Sequence, residues 1–144
     1  MEKRSSISGQ LAVITGAASG IGEAVVNRFV SEGARIALFD KDKYKGENFS
    51  NKLLSSGADV RFFECDVTQE GSVDHAFDSV LNSFGPVQIL INCAGGFFQN
   101  PPLESVELEH WEEILSLNLR SVYLCSKKAI VSMKKSNYGR IVNV

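Results

Sequence analysis

A glycine-rich segment near the start of the chain has the residue types and spacing of a phosphate-binding turn. Thr15-Gly16-Ala17-Ala18-Ser19-Gly20-Ile21-Gly22 follows a short apolar run and leads directly into a helical pattern. Glycines let the backbone approach a diphosphate without an intervening Cβ, and a helix N-terminus offers free N–H groups. The segment predicts a dinucleotide site, whereas a structural loop is the alternative for such a turn taken alone. The residues expected to bind there are Gly16, Ser19, Gly20, Ile21 and Gly22.

An acidic residue, Asp40, follows the second apolar run, eighteen residues after Gly22. Its carboxylate can accept hydrogen bonds from both hydroxyls of an adenosine ribose, which favours NAD. The 2′-phosphate of NADP would meet a like charge there, at a cost of about 1 kcal/mol in water and up to about 4 kcal/mol in a partly buried site. Lys41 and Lys43 weaken this preference, because either could reach a phosphate. The alternative is that Asp40 only caps a helix or lies in a loop.

Five short apolar runs alternate with helical patterns along the chain. The runs cover 11–15, 35–39, 60–63, 87–92 and 140–144, and each has the length of a strand. This alternation predicts a parallel sheet with helices on both faces, because right-handed crossovers place them there. We therefore expect an α/β, Rossmann-like doubly wound sheet with strand order 3-2-1-4-5 and a switch point between strands 1 and 4.

Apolar residues at helical spacing define the segments between the strands. The clearest stripe, with intervals of three and four residues, comprises Val73, Ala76, Phe77, Val80, Leu81 and Phe84. A first helix is indicated by Ile21, Ala24, Val25 and Phe29, and a weaker second by Phe49 and Leu53. A long last helix is predicted from Trp111 through Met133.

One polar residue of the last helix, Asn118, falls on its apolar side. At 100° per residue, six residues lie within about 60° of Asn118: Trp111, Ile114, Leu115, Val122, Cys125 and Ala129. A buried amide needs hydrogen-bond partners. Asn118 is therefore expected to be either a satisfied structural residue or a functional one.

Length, composition and charge limit the classes of protein that fit. The 144 residues suit one domain, 1–144, with a polar tail at 1–8 that lacks a signal-peptide core. A net charge of −2 lacks the basic excess of nucleic-acid binding, and no apolar run is long enough for a membrane span. We expect a cytoplasmic protein. Its three cysteines, Cys65, Cys93 and Cys125, fit buried hydrophobes, and with His75 and His110 far apart no metal is expected.

Taken together, the motifs resemble those of the short-chain dehydrogenase/reductase family. Four features carry the resemblance and fall in the family's order: T-G-x-x-x-G-x-G from Thr15, Asp66-Val67, Asn92-Cys93-Ala94-Gly95, and Asn118. Cys93 departs from the family, which most often has a second Asn there. Since Ala94 and Gly95 are retained, we expect the local turn to survive.

The resemblance implies a role for each matching residue. Asp66 would bond the adenine edge with Val67 packed beside it, although Asp66 could instead cap the following helix. Asn92, Ala94 and Gly95 would line the adenosine side of the cleft. Asn118 would hold a water of the proton relay at a helix kink. Ser19 stands where NADP-preferring relatives often have a basic residue, which supports NAD.

Tyr123 and Lys127 have the Tyr-x-x-x-Lys spacing of the family's catalytic pair, but we interpret them as a decoy. They point about 140° and 180° away from Asn118 and precede strand 5, whereas the family's pair follows it. Tyr138 has Val142, not Lys, four residues on. The resemblance places the catalytic Ser, Tyr and Lys after Val144, so the sheet would lack its outer strands. The chain alone is expected to be inactive, with an exposed sheet edge that favours association.

The implied activity is hydride transfer between a nicotinamide and a carbonyl or alcohol, in a homo-oligomer when full length. A noncatalytic nucleotide-binding or redox-sensing protein is the first alternative, and a methyltransferase is the second. The glycine spacing and the Asn92-Cys93-Ala94-Gly95 turn argue against the methyltransferase. Phe97 or Phe98 could contact a substrate, although ordinary packing explains them equally well.

Overall fold

The structure, a computed structural model, describes residues 6–96 and 101–144. Its strands and helices alternate as the apolar runs predict. The strands are β1 (Leu11–Thr15), β2 (Arg35–Asp40), β3 (Val60–Glu64), β4 (Ile89–Asn92) and β5 (Arg140–Asn143). The helices are α1 (Gly20–Ser31), α2 (Lys43–Ser55), α3 (Glu70–Ser83), α4 (Leu108–Leu115) and α5 (Ser121–Ser136). A 3-10 turn, Leu103–Ser105, precedes α4, and a π-turn, Ser116–Arg120, joins α4 to α5.

The five strands form one parallel sheet in the order β3-β2-β1-β4-β5, which confirms the predicted topology. From β1 the chain adds β2 and then β3 toward one edge of the sheet. It then crosses back to the other side of β1, where it forms β4 and β5. Thr15, the last residue of β1, lies beside Phe39 on one side and Asn92 on the other. The carboxyl ends of the three inner strands therefore meet at one edge, where a ligand cleft is expected.

The central strand is buried on both faces, because helices cover the sheet on each side. Leu11 and Val13 belong to the core beneath α3 and α5. Ala12 and Ile14 point the other way, into the core beneath α1 and α2. Every residue of β1 is buried, which explains why its sequence is a continuous apolar run rather than an alternating one.

The α3 stripe packs as predicted except at one position. Val73, Ala76, Phe77, Val80 and Phe84 are buried, and the Phe77 ring meets Phe39 edge-on at 5.2 Å. Leu81 is 46% exposed, because the buried arc of α3 is narrower than the stripe counted from the sequence.

The long last helix predicted from Trp111 through Met133 is present and runs without a break from Leu108 to Ser136, but the π-turn interrupts its α-helical hydrogen bonding. A π-turn takes up an extra residue, so positions after it no longer follow the 100° spacing of those before it. Cys125 and Ala129 are buried as expected, but Trp111 is 48% exposed and Asn118 is also exposed. Asn118 is therefore not the buried amide that the helical wheel predicted.

Candidate functional site

A cleft of about 1020 Å³ opens at the carboxyl edge of the sheet, at the switch point between β1 and β4. Its walls come from the loops after β1, β2, β3 and β4, and from α4 with the π-turn. The lining residues are Gly16, Ser19, Asp40, Lys41, Cys65, Asp66, Val67, Thr68, Gln69, Ala94, Gly95, Gly96, Leu108, Glu109, Glu112, Glu113, Ser116, Leu117 and Arg120. The cleft thus brings together motifs that are far apart in sequence.

Gly16 lies where the loops after β1 and β4 come into contact. A Cβ on Gly16 would lie 2.9 Å from Ala94 Cα, and the residue has a φ of +61°, which side chains disfavour. Gly22 packs the start of α1 on the same turn, since a Cβ there would lie 2.0 Å from the Gly16 carbonyl oxygen. Both glycines are required by close backbone contacts at the floor of the cleft.

The N-terminus of α1 begins directly after this turn. Its first residues are Gly20, Ile21 and Gly22, whose N–H groups precede the first intrahelical donor, Glu23. The Ser19 side chain makes no capping hydrogen bond to them. Within the described ranges no other residue accepts from these three N–H groups, so the donor end of α1 remains available to an anion.

Thr15 holds the loop after β4 in place, a role that its position in the glycine-rich motif did not predict. Its buried hydroxyl oxygen accepts hydrogen bonds from the N–H groups of Cys93 and Ala94, at 3.1 and 3.0 Å. Because these donors are backbone groups, the side chain at position 93 is not needed for the turn. This explains how the loop keeps its shape with Cys93 in place of Asn.

Asp40, at the end of β2, is oriented by two backbone groups. One carboxylate oxygen accepts from the N–H of Ala18 in the glycine-rich turn, and the other accepts from the N–H of Asp42, both at 3.0 Å. Each oxygen retains a further lone pair for a ligand donor. The carboxylate is thus fixed at the cleft wall, with Lys41 beside it.

The loop after β3 supplies a second acid. Asp66 Oδ1 accepts from the backbone N–H and the hydroxyl of Thr68, at 2.9 and 2.7 Å. These bonds stay within the loop, and α3 starts only at Glu70, so Asp66 does not cap that helix directly. Cys65, just before it, is buried, and burial raises the pKa of its thiol to about 12. The thiol is therefore protonated at neutral pH.

Asn118 ties the π-turn to the loop after β4. Its amide nitrogen donates to the carbonyl oxygens of Gly96 and Ile114, at 3.0 and 2.9 Å, and its amide oxygen accepts from the Gly96 N–H at 3.0 Å. The side chain is exposed yet makes three hydrogen bonds. It fixes the helix against the cleft at the point where the regular helical pattern breaks.

Tyr123 and Lys127 do not line the main cleft. Tyr123 is 60% exposed beside a shallow depression of α4 and α5, and Lys127 pairs with Glu70 of α3 at 3.2 Å. The hydrogen bond to Glu70 raises the pKa of Lys127. The lysine thus connects α5 to α3 and does not line the cleft.

Several residues predicted for the site do not line the cleft. Gly20, Ile21 and Gly22 lie at the helix N-terminus next to it, and the Ile21 side chain is 62% exposed. Asn92 is buried behind the cleft, where its amide nitrogen donates to Asn143 Oδ1 at 2.8 Å. Phe97 and Phe98 lie outside the described residues.

α4 and the π-turn contribute a wall of the cleft that was not predicted from the sequence. Glu109, Glu112 and Glu113 line it, and their spacing of three and four residues marks one helical face that could have been recognised. Arg120 also lines the cleft, and it bonds the carbonyl oxygen of Thr68 at 3.2 Å. No local sequence signal predicts that contact between residues 52 positions apart.

In the part of the chain that the structure describes, no helix combines the length and apolar character that a membrane crossing requires. Over residues 6–96 and 101–144, no three His, Cys, Asp or Glu side chains converge as a metal site would require.

The parallel order, the switch-point cleft and the glycine-rich turn before α1 define a dinucleotide-binding α/β domain. The profile of the short chain dehydrogenase family matches residues 10–144, and this chain belongs to that family. The family uses nicotinamide cofactors, NAD or NADP.

Individual relatives agree with the family. The chain is 36% identical over 138 residues to D-threitol dehydrogenase of Mycolicibacterium smegmatis, covering 96% of this chain and 53% of the relative. It is 33% identical to L-fucose dehydrogenase of Oryctolagus cuniculus, covering 95% and 46%. The crystal structure of gox2181 superposes with a TM-score of 0.92 at 29% identity, covering 95% of this chain and 53% of that one. The chain spans about half the length of the curated relatives it matches.

Proposed function

We propose that this chain forms the coenzyme-binding part of an NAD-dependent oxidoreductase that acts on a small alcohol or carbonyl compound. The observation that carries the proposal is the close contact of Gly16 with Ala94, which shapes the cleft floor beside the donor end of α1. A dinucleotide fits this arrangement, because its diphosphate needs N–H donors and an approach unobstructed by Cβ atoms. When bound, the nicotinamide would supply hydride exchange with the substrate.

The residues of the chain would divide the binding among them. The turn from Gly16 to Gly22 would hold the diphosphate, Asp40 would accept from the ribose hydroxyls, and Asp66 with Val67 would contact the adenine. Ala94 and Gly95 would line the adenosine side. Asn92 would support this loop from behind through Asn143, and Asn118 would fix the π-turn at the reacting end.

The preference for NAD over NADP rests on the charge at the end of β2. Asp40 lines the cleft with both oxygens anchored, so it cannot turn away from a phosphate without losing two hydrogen bonds. Lys41 acts in the opposite direction. For the full-length protein we propose a cytoplasmic location and a homo-oligomeric state.

Nucleotide binding by the full chain tests the proposal. Titration with NAD should quench intrinsic fluorescence and raise the melting temperature, and NADP should bind more weakly. Gly16→Ala should abolish binding, because its Cβ would be forced against Ala94 in a backbone conformation that alanine disfavours.

Gly57→Ala is the matched control. Gly57 also has a positive φ, +87°, but a Cβ there would meet no atom within 4 Å. It therefore introduces the backbone strain without the contact, and it should bind NAD normally. If the unmodified chain folds and binds neither coenzyme, the proposed function is wrong.

A further inference from the structure

Arg120, the last residue of the π-turn, links two parts of the cleft wall: the π-turn itself and the loop after β3. Its Nη2 donates to the hydroxyl oxygen of Ser116 at 2.6 Å and to the backbone carbonyl oxygen of Thr68 at 3.2 Å. Ser116 begins the π-turn, so the first bond closes across it. The second bond reaches the loop after β3.

The partner of Arg120 on that loop is the residue that orients Asp66. Thr68 donates both its N–H and its hydroxyl to Asp66 Oδ1, and both residues line the cleft. The Arg120 guanidinium fixes the Thr68 carbonyl and therefore limits backbone movement of the loop that carries the Asp66 carboxylate.

The other end of the connection is Asn118. It lies between Ser116 and Arg120 in the π-turn, and it bonds both backbone groups of Gly96. π-Turns lack the regular hydrogen bonds of an α-helix and often occur at functional sites. The Arg120–Ser116 bond braces this irregular turn from the cleft side.

We propose that Arg120 is a positioning residue that couples the Asp66 loop to the Asn118 segment, so that dinucleotide binding and the placement of Asn118 depend on each other. The proposal rests on the proposed function for its ligand. The coupling runs through two contacts that Arg120 makes across the cleft wall: Thr68 on one side and Ser116 on the other. Both bonds come from one nitrogen, Nη2, so removing the guanidinium removes both contacts at once.

Arg120→Met in the full chain tests the coupling by hydrogen exchange. The Thr68 amide is protected by Asp66, and the Gly96 amide by Asn118. Both amides should exchange faster in Arg120→Met than in the unmodified chain. They should be partly restored in Arg120→Lys, which keeps the charge. A purely local structural role would affect only one of them, and that result, or no change at either amide, overturns the proposal.

Binding gives the second readout. NAD and ADP-ribose should each bind Arg120→Met about 3- to 10-fold more weakly, the factor expected for one net hydrogen bond. Arg28→Met is the control, because Arg28 also makes two guanidinium bonds, to Glu32, but on the exposed end of α1. Ser116→Ala, which removes one anchor only, provides a milder variant should Arg120→Met fold poorly, and it should show both effects to a smaller degree.

The two proposals fail in different ways. If the unmodified chain binds neither NAD nor ADP-ribose, the proposed function fails, and exchange at Thr68 and Gly96 still decides whether Arg120 links the Asp66 loop to the Asn118 segment. If the unmodified chain binds and Arg120→Met binds equally well, the coupling is overturned and the proposed function stands.

Discussion

Asp40 is the side chain on which the proposed preference for NAD depends. Its carboxylate is held by the N–H groups of Ala18 and Asp42, so its charge has a fixed position at the cleft wall. A carboxylate held in a fixed position discriminates against a 2′-phosphate more strongly than a mobile one, because it cannot move away to reduce the repulsion. The sequence predicted a ribose-binding role for this acid, and the structure adds the two hydrogen bonds that orient its carboxylate.

Asp40→Asn should shift the preference toward NADP. Removing the negative charge relieves a repulsion of about 1 to 4 kcal/mol, so the ratio of the dissociation constants for NADP and NAD should fall about 5-fold to several-hundred-fold. The ratio is the quantity to measure, since loosening of the turn affects both coenzymes alike. Lys41→Gln is the paired control and should move the ratio the other way. An unchanged ratio in Asp40→Asn would show that the carboxylate does not face the ribose.

At the scale of elements, Thr15 joins β1 to the loop after β4. A threonine at the end of an apolar strand, directly before the glycine-rich turn, was visible in the sequence. Its role was not, because the backbone groups that it accepts from lie 78 and 79 residues away.

Thr15→Val should destabilise the protein by about 1 to 3 kcal/mol, because two backbone N–H groups lose their acceptor while the shape of the side chain is kept. Thr15→Ser keeps the hydroxyl and should lose only about 0.8 kcal/mol for the missing methyl group. Urea unfolding of the two variants measures the difference. Equal losses would mean that the methyl group, not the hydroxyl, accounts for the contribution of Thr15.

At the scale of this whole chain, the edge of the sheet formed by β5 is uncovered. All four residues of β5 are exposed, and Ile141, Val142 and Val144 present apolar side chains there. Exposed edge strands and apolar patches favour association between chains. The exposed Ile130 and Val131 on α5 extend the apolar surface of the chain.

Val142→Lys should therefore reduce self-association, which static light scattering over a concentration series would measure. Leu54→Lys on α2 is the control, since Leu54 is 49% exposed and Val142 is 48% exposed, so the two substitutions differ mainly in location. The unmodified chain and Leu54→Lys should associate similarly. A chain that stays monomeric at every concentration would contradict this expectation.

The sequence by itself determined the strand and helix order, the sheet topology and the glycine-rich turn. The topology follows from the general rules for doubly wound parallel sheets. The element order and the turn follow from local information: the length of apolar runs, their periodicity and the spacing of glycines around Gly16 and Gly22. Such patterns depend on a few consecutive residues and are therefore readable without knowing the path of the chain.

Only the tertiary structure decided which side chains share the cleft. Asn92 lies behind it and Arg120 within it, although their positions in the sequence suggest neither outcome. The reason is geometric. One extra residue in the π-turn breaks the 100° spacing along the helix, so the environment of Asn118 could not be calculated from an ideal wheel. Contacts between residues that are far apart in sequence depend on many such small rotations, because these accumulate along the backbone between the two residues.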